Sequence, residues 1–288
     1  MKSPEAIRNT PVSLDKRERE FDAGDLQSEI GQESDFRRLE DVTLELDGLL
    51  ETSVEGKYEA LVEEIRQEKI SWITSPEFAR RISLTGASEE DVGQIRDWVL
   101  DNIKNGEVRI FAPNDIALLR ERLMEFSKLS SGDSVSLEQG NGFYVNGNVS
   151  NLPEKFLNNV YIPEQTFVPK TYPITNSTET LLSHEIGHQA QDGVLRSELY
   201  QDWSPRLKEG SPDPEYVGNI EETDVRIRSM FRCLRNVFDA NQEAFDEVHI
   251  ELLRDMQKEG VLERDVTDLL DHFDDDELVR IANYLPAI

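Results

Sequence analysis

The chain has 288 residues, enough for one or two domains that each bury a hydrophobic core. Its 59 acidic residues outnumber its 31 basic residues and give a formal net charge of −28, which argues against nucleic-acid binding because phosphate contacts require clustered Lys and Arg. The single cysteine, Cys233, excludes a disulfide framework within the chain and a Cys-rich metal site, and no apolar run approaches the roughly 18 residues that a membrane-spanning helix needs.

The N-terminal residues and the net charge give predictions about the localisation and origin of the protein. Residues 1–5 lack the apolar segment of a secretory signal peptide, so we expect a cytoplasmic or virion-associated protein without membrane insertion. The acid-rich composition also resembles that of proteins from salt-loving organisms, in which salt screens the repulsion between like charges. A high-salt origin is one hypothesis, and an ordinary acidic protein with solvated charged faces is the other.

The first third of the chain divides into a polar arm and a helical extension. Residues 1–35 are rich in Ser, Pro, Gly, Gln and acidic residues, and we expect a flexible N-terminal arm through which an assembly partner binds. Apolar residues with helical spacing predict a helical N-terminal extension over residues 36–104. Its last helix is expected at residues 89–102, with Ser88 as the N-cap.

The remaining residues alternate short strands with helices and then become helical throughout. Short β-branched or aromatic runs between Gly- and Asn-rich turns predict the strands, and apolar residues with a helical period predict the helices. This order predicts an α+β fold that is mostly helical. The predicted strands are 108–111, 135–137, 143–145 and 160–162, and the predicted helices, apart from the one discussed next, are 114–128, 219–239, 242–258, 262–272 and 275–284.

The most informative stretch is an HExxH motif formed by His184, Glu185 and His188. Residues four apart on a helix share a face, so both imidazoles can bind one zinc ion. Glu185 is rotated by about 100° from His184, which places it beside the metal rather than on it. A carboxylate in that position can accept the proton of an attacking water and pass it to the leaving amine.

The residues around the motif favour a helix of about sixteen residues. Asn176 and Glu179 are typical of a capping box, Leu182 and Ile186 supply an apolar face, and Gly193 suits a C-terminal cap. The alternative interpretation is that both histidines are ordinary helix residues and that Glu185 is exposed.

With this motif the chain resembles the zincin metallopeptidases over about residues 105–240. The resemblance implies a zincin-like domain at 105–288, in which a small mixed sheet lies against the HExxH helix and further helices follow. It also implies an edge strand that pairs with an extended substrate, and residues 159–162 are a candidate for that strand or for an interior one. The metzincin form of the motif is absent, because Gln191 and Val194 stand at its glycine and final ligand positions.

A catalytic zinc usually takes three protein ligands, so a third ligand is expected. Asp192 lies eight residues after His184, about 12 Å along a continuous helix, and is better interpreted as a solvated helix end or a polar neighbour of the site. Gluzincins take a glutamate from a second helix, and by this resemblance Glu222 is the ligand and Glu221 the runner-up. Arg226 follows Glu222 by four residues, as in small gluzincins of phages and mobile elements, whereas thermolysin-like gluzincins carry Asp there.

The resemblance implies a function as well as a fold. It implies hydrolysis of protein or peptide substrates, with Zn²⁺ held by the two histidines and Glu222 and with Glu185 as the catalytic base. Tyr216 and His249 are candidates for stabilising the anionic intermediate. One alternative makes Glu222 only a capping partner of Asn219. Others make the chain an effector that cleaves one host protein, or a structural or interaction protein, such as a virion component, that retains a zincin fold with zinc in a structural role.

Overall fold

A computed structural model provides the fold of most of the chain. Of residues 23–34 and 193–195 only the backbone is described. The start of the predicted arm, Asn176 and Tyr216 lie outside the described residues. The described residues are 23–54, 56, 58–84, 86–132, 137, 142–147, 151–164, 178–195, 205–211, 218–234 and 244–288.

Helices pack on both faces of a small sheet, which confirms the mostly helical α+β class. In the described part of the chain, no helix combines the length and the apolar character needed to cross a bilayer. In chain order the elements are α1 (Ala23–Leu50), α2 (Glu59–Ile73), α3 (Pro76–Leu84), α4 (Glu89–Asn105), β1 (Val108–Phe111), α5 (Pro113–Ser131), β2 (Phe143–Val145), a 3₁₀ turn (Glu154–Phe156), β3 (Asn159–Pro163), α6 (Thr178–Leu195), α7 (Ile220–Leu234), α8 (Glu247–Lys258), α9 (Arg264–His272) and α10 (Asp275–Tyr284).

Local capping explains where several of these helices begin. Ser88 caps α4 as predicted, because its hydroxyl accepts a hydrogen bond from the Asp91 backbone N–H and the Asp91 carboxylate accepts one from the Ser88 N–H. Helix α8 begins at Glu247, later than the predicted residue 242, because the Asp246 side chain caps it in the same way.

One other predicted boundary, the C-terminal cap at Gly193, is wrong, and two more can be compared only in part. Helix α1 begins at Ala23, so helical structure starts inside the region predicted to be a flexible arm. Gly193 lies within α6 rather than at its C-terminal cap, because the helix continues to Leu195. Of the strand predicted at 135–137 only Leu137 is described, and it is buried outside any strand.

The sheet has three strands in the order β1-β3-β2 within the described residues. β3 is the central strand, parallel to β1 and antiparallel to β2, and it is buried along its whole length. The side chain of Tyr161 packs toward α1 and α5, whereas Val160 and Ile162 pack toward α6. Residues 159–162 therefore form an interior strand, and β2 is the edge strand beside α6.

A glycine allows the HExxH helix to lie close to α7. A Cβ atom on Gly187 would lie 2.9 Å from both methyl carbons of Val225, so a larger residue would push the two helices apart. The close approach brings the first turn of α7 within side-chain reach of the histidines on α6.

Candidate metal centre

Three candidate ligands meet between α6 and α7. The Nε2 atoms of His184 and His188 are 3.1 Å apart. Glu222 places Oε1 at 3.0 Å from His188 Nε2 and Oε2 at 3.4 Å from His184 Nε2. Within the described residues, these three side chains form a cluster that could hold a metal ion, because one potential ligand atom from each lies within 4.8 Å of the others.

The spacing and chemistry of these atoms fit a zinc ion. Ligand atoms at corners of a tetrahedron with bonds of ~2.0–2.1 Å lie roughly 3.3 Å apart; here the two Nε2 atoms are 3.1 Å apart, and each lies 3.0 or 3.4 Å from a different carboxylate oxygen of Glu222. Two imidazole nitrogens and a carboxylate form a donor set that zinc prefers. The Glu222 carboxylate is buried, and its Oε2 also forms an ion pair with Arg226 Nη2 over 3.2 Å, one turn along the same helix.

The orientation of His184 is set by a residue on a third helix. His184 Nδ1 donates to Asp265 Oδ2 over 3.0 Å, and Ser229 Oγ donates to the same oxygen over 3.1 Å. Because Asp265 holds a proton on Nδ1, Nε2 faces Glu222 and is the nitrogen that offers a lone pair to a metal once its own proton is displaced. Asp265 lies on α9, 81 positions after His184, and no sequence motif indicates this contact.

His188 is oriented by the helix on which it lies. Its Nδ1 is 3.0 Å from the side-chain oxygen of Gln191, which accepts the Nδ1 proton and leaves the Nε2 lone pair for a metal. Gln191 is buried. In the sequence, Gln191 served only to exclude the metzincin motif. The sequence did not predict that Gln191 is a hydrogen-bond partner of His188.

Glu185 lies beside the three donors and faces the sheet. Its side chain is 6% exposed. A Cβ atom on Gly142, just before β2, would lie 3.1 Å from Glu185 Oε1, so the carboxylate touches the start of the edge strand. Burial raises the pKa of the Glu185 carboxyl, although both histidines oppose this shift. A raised pKa suits a carboxyl group that must accept and return a proton near neutral pH.

Electrostatic interactions among the donors shift their pKa values. Burial lowers the pKa of His184, but Asp265 and Glu222 more than reverse this effect and raise it well above 6.5. The pKa of His188 is also raised, because Glu222 outweighs burial. Burial raises the pKa of Glu222, but the two histidines hold it far below its usual range. A metal ion must therefore displace protons from these imidazoles, and binding should weaken as the pH falls.

The other sequence candidates lie outside the donor group. The carboxylate of Glu221 is not part of it, and the carbonyl oxygen of Glu221 accepts a hydrogen bond from Gln191 Nε2 over 2.7 Å. Asn219 caps α7 through the backbone N–H of Glu221, while the Glu222 carboxylate lies against the two imidazoles. His249 pairs with Asp246 in the cap of α8, at 2.7 Å.

The prediction that Asp192 is a solvated helix end is wrong. Its side chain is buried, because β2 and the residues that follow it pack on α6. Asp192 Oδ1 accepts a hydrogen bond from Asn146 Nδ2 over 2.7 Å. The residue thus ties the end of the edge strand to the HExxH helix, which agrees with the other interpretation, a polar neighbour of the site.

Comparison of the chain with protein-family models, with curated proteins and with solved structures finds no match.

We expect Asp265→Asn to lower zinc affinity by about 10–100-fold, the usual cost of losing a hydrogen-bond partner of a metal-bound histidine. The Asn amide can present its nitrogen to His184 Nδ1, which no longer fixes the tautomer that metal binding needs. Competition with a chromophoric chelator measures the change. The matched control is Asp268→Asn on the same helix, since the Asp268 carboxylate pairs with Arg264 at 3.7 Å and is not part of the donor group. Equal affinity in both variants and the wild type would exclude the role of Asp265.

Proposed function

We propose that the chain is a zinc-dependent metallopeptidase with a zincin-like domain of the gluzincin type. The observation that carries this proposal is the position of Glu185, a buried carboxylate next to the donor group but not part of it. A site that only holds two helices together has no use for a general base. The donors His184, His188 and Glu222 would hold the zinc.

Each residue of the proposed site has a separate role in the reaction. When bound, zinc would polarise the peptide carbonyl and favour ionisation of the attacking water. Glu185 accepts the proton of that water and delivers it to the leaving amine, a reversible transfer that the raised pKa of its carboxyl supports. Asp265 and Gln191 hold the two imidazoles in the required tautomer and orientation.

The edge strand supports a peptide as the substrate. β2 is the edge of the described sheet, and Gly142 at its start lies against Glu185. An extended peptide that adds to such an edge as a further strand gains backbone hydrogen bonds with little dependence on sequence. Its carbonyl groups would then pass close to Glu185 and the donor group.

Metal analysis combined with a cleavage assay tests this proposal. We expect the purified protein to contain about one zinc per chain and to cleave casein or members of a peptide library. Cleavage should stop on treatment with a chelator and return when zinc is added back. The Glu185→Gln protein, purified in parallel, controls for contaminating proteases.

The other outcomes are equally informative. Zinc binding without cleavage of any peptide would contradict the peptidase and support the alternative, a structural or interaction protein in which zinc stabilises the packing of α6 on α7. Failure to bind zinc at all would contradict both.

A further inference from the structure

The last residues of the sequence are buried, and they contact α2, α3 and α7. We call Leu285–Ile288 the 285–288 segment. Leu285, Ala287 and Ile288 are at most 1% exposed. Side chains of α2 and α3 bond to its main chain: Arg81 donates to the Leu285 oxygen over 2.9 Å, Trp72 to the Pro286 oxygen over 3.2 Å, and Lys69 to the Ile288 oxygen over 2.5 Å.

The backbone of this segment is bent to present two amide groups to one carboxylate. Ala287 has φ = 61°, in the left-handed region that residues other than glycine adopt at a cost. Its N–H donates to Asp224 Oδ1 over 2.7 Å, and the N–H of Ile288 donates to Asp224 Oδ2 over 3.1 Å. Successive N–H groups around a left-handed residue form an anion-binding concavity, which here holds the Asp224 side chain.

Asp224 in turn touches the residue that orients a metal donor. Asp224 is completely buried on α7, two residues after Glu222. Its Oδ2 accepts a hydrogen bond from Gln191 Nε2 over 3.2 Å, and the same nitrogen donates to the Glu221 oxygen over 2.7 Å. Since the amide nitrogen of Gln191 faces these two acceptors, its oxygen must face His188 Nδ1, at 3.0 Å.

We propose that Asp224 and Gln191 are positioning residues that make the 285–288 segment part of the metal site. This inference rests on the proposed zinc-binding function. The docked segment fixes the Asp224 carboxylate, the carboxylate fixes the orientation of the Gln191 amide, and the amide oxygen fixes the proton of His188 on Nδ1. When the segment is displaced, only the Glu221 carbonyl still accepts from the Gln191 nitrogen, so the amide turns more readily toward His188 and the tautomer that leaves Nε2 for a metal is less firmly held.

A carboxylate that only tied the segment to the fold would not produce the same effects. Its loss would reduce stability but would leave the metal affinity of the folded protein unchanged. A positioning role also requires reciprocity, because if the docked segment strengthens zinc binding, bound zinc must stabilise the docked segment to the same degree. Metal affinity and segment docking are therefore the two properties to measure.

The test compares Asp224→Asn with the wild type and with Leu119→Ala. Asn has one acceptor oxygen in place of the two of Asp, so at least one of the three N–H donors around position 224 loses its partner. Leu119→Ala destabilises the protein by removing a buried side chain of α5, on the other face of the sheet. We expect Asp224→Asn to lower zinc affinity at least about tenfold and to alter the visible absorption spectrum of the Co²⁺-loaded protein, and Leu119→Ala to change neither property.

Hydrogen exchange provides the reciprocal measurement on the wild-type chain. We expect bound zinc to slow exchange of the Ala287 and Ile288 amide hydrogens relative to the metal-free protein. If Asp224→Asn does not fold, Gln191→Met takes its place in the affinity and Co²⁺ measurements, since it removes the side-chain amide at the centre of the same chain of contacts.

Three results would overturn the inference. They are wild-type affinity and an unchanged Co²⁺ spectrum in the position-224 or position-191 variant, an equal loss in Leu119→Ala, and exchange at residues 287 and 288 that zinc does not affect. If the wild type itself binds no zinc, the proposed function fails and the inference fails with it. If the wild type binds zinc and the variants bind it equally well, only the inference fails.

Discussion

Replacing Glu185 by Gln is expected to lower kcat for peptide hydrolysis by about 10²–10⁴-fold, the range attributed to a positioned general acid–base group. The amide keeps the size of the side chain but cannot accept a proton at neutral pH. Because the Glu185 carboxylate is not one of the three donors, the zinc content should stay at the wild-type level. Steady-state cleavage of a library peptide and elemental analysis of the same preparation measure both quantities.

Glu179→Gln is the matched control for this variant. It makes the same change of charge on the same helix, at an exposed residue in the first turn of α6. Turnover in this control should equal that of the wild type. Normal turnover in Glu185→Gln would exclude the proposed mechanism, and loss of zinc from Glu185→Gln would show that the side chain supports the metal rather than the proton transfer.

Replacing Glu222 by Gln is expected to remove most of the zinc from the purified protein. The carboxylate supplies the anionic donor of the group, and a neutral amide is a much weaker ligand for zinc. The loss of affinity should exceed the roughly 10–100-fold expected when only a hydrogen-bonding partner of a ligand is removed. Chelator competition measures the affinity, and circular dichroism checks that the helices are retained.

Glu221→Gln separates the two adjacent glutamates. Its carboxylate lies outside the donor group, and its contact with Gln191 is made by the backbone carbonyl, which the substitution preserves. We therefore expect Glu221→Gln to bind zinc as the wild type does. The reverse pattern, with zinc lost from Glu221→Gln and kept in Glu222→Gln, would show that the third ligand has been wrongly assigned.

Local sequence patterns predict the parts of the structure that short-range interactions determine. The Ser88 cap, the strands at 108–111 and 143–145 and the last two helices follow from the spacing of apolar residues and from capping chemistry. The i and i+4 spacing of His184 and His188 likewise accounts for the shared helix face on which their Nε2 atoms meet.

The choice between Glu221 and Glu222 could not be made from helix periodicity. Periodicity separates a buried face from an exposed one, but α7 is buried on nearly every side, including Glu222 and the five residues that follow it. Charged residues inside such a helix look, in the sequence, like a solvated face. Only the packing of α7 against α6 shows which carboxylate faces the histidines.

Two contacts that support the site are long-range and could not be predicted either. Asp265 reaches His184 from a helix 81 positions away, and Asp224 meets main-chain N–H groups 63 and 64 positions away. Neither contact has a spacing rule. The interior position of β3 was also left open by the sequence, because strand order depends on how the sheet is assembled and not on the composition of a single strand.

The contact between His184 and Asp265 has a consequence for how the protein acquires its metal. The donors lie on α6 and α7, but the carboxylate that orients the first imidazole lies on α9. A chain still emerging from the ribosome cannot offer a fully oriented donor group until α9 has docked. Zinc capture should therefore come late in folding, and misassembled molecules should hold the ion weakly. Such a dependence would keep incompletely folded copies of the proposed peptidase inactive.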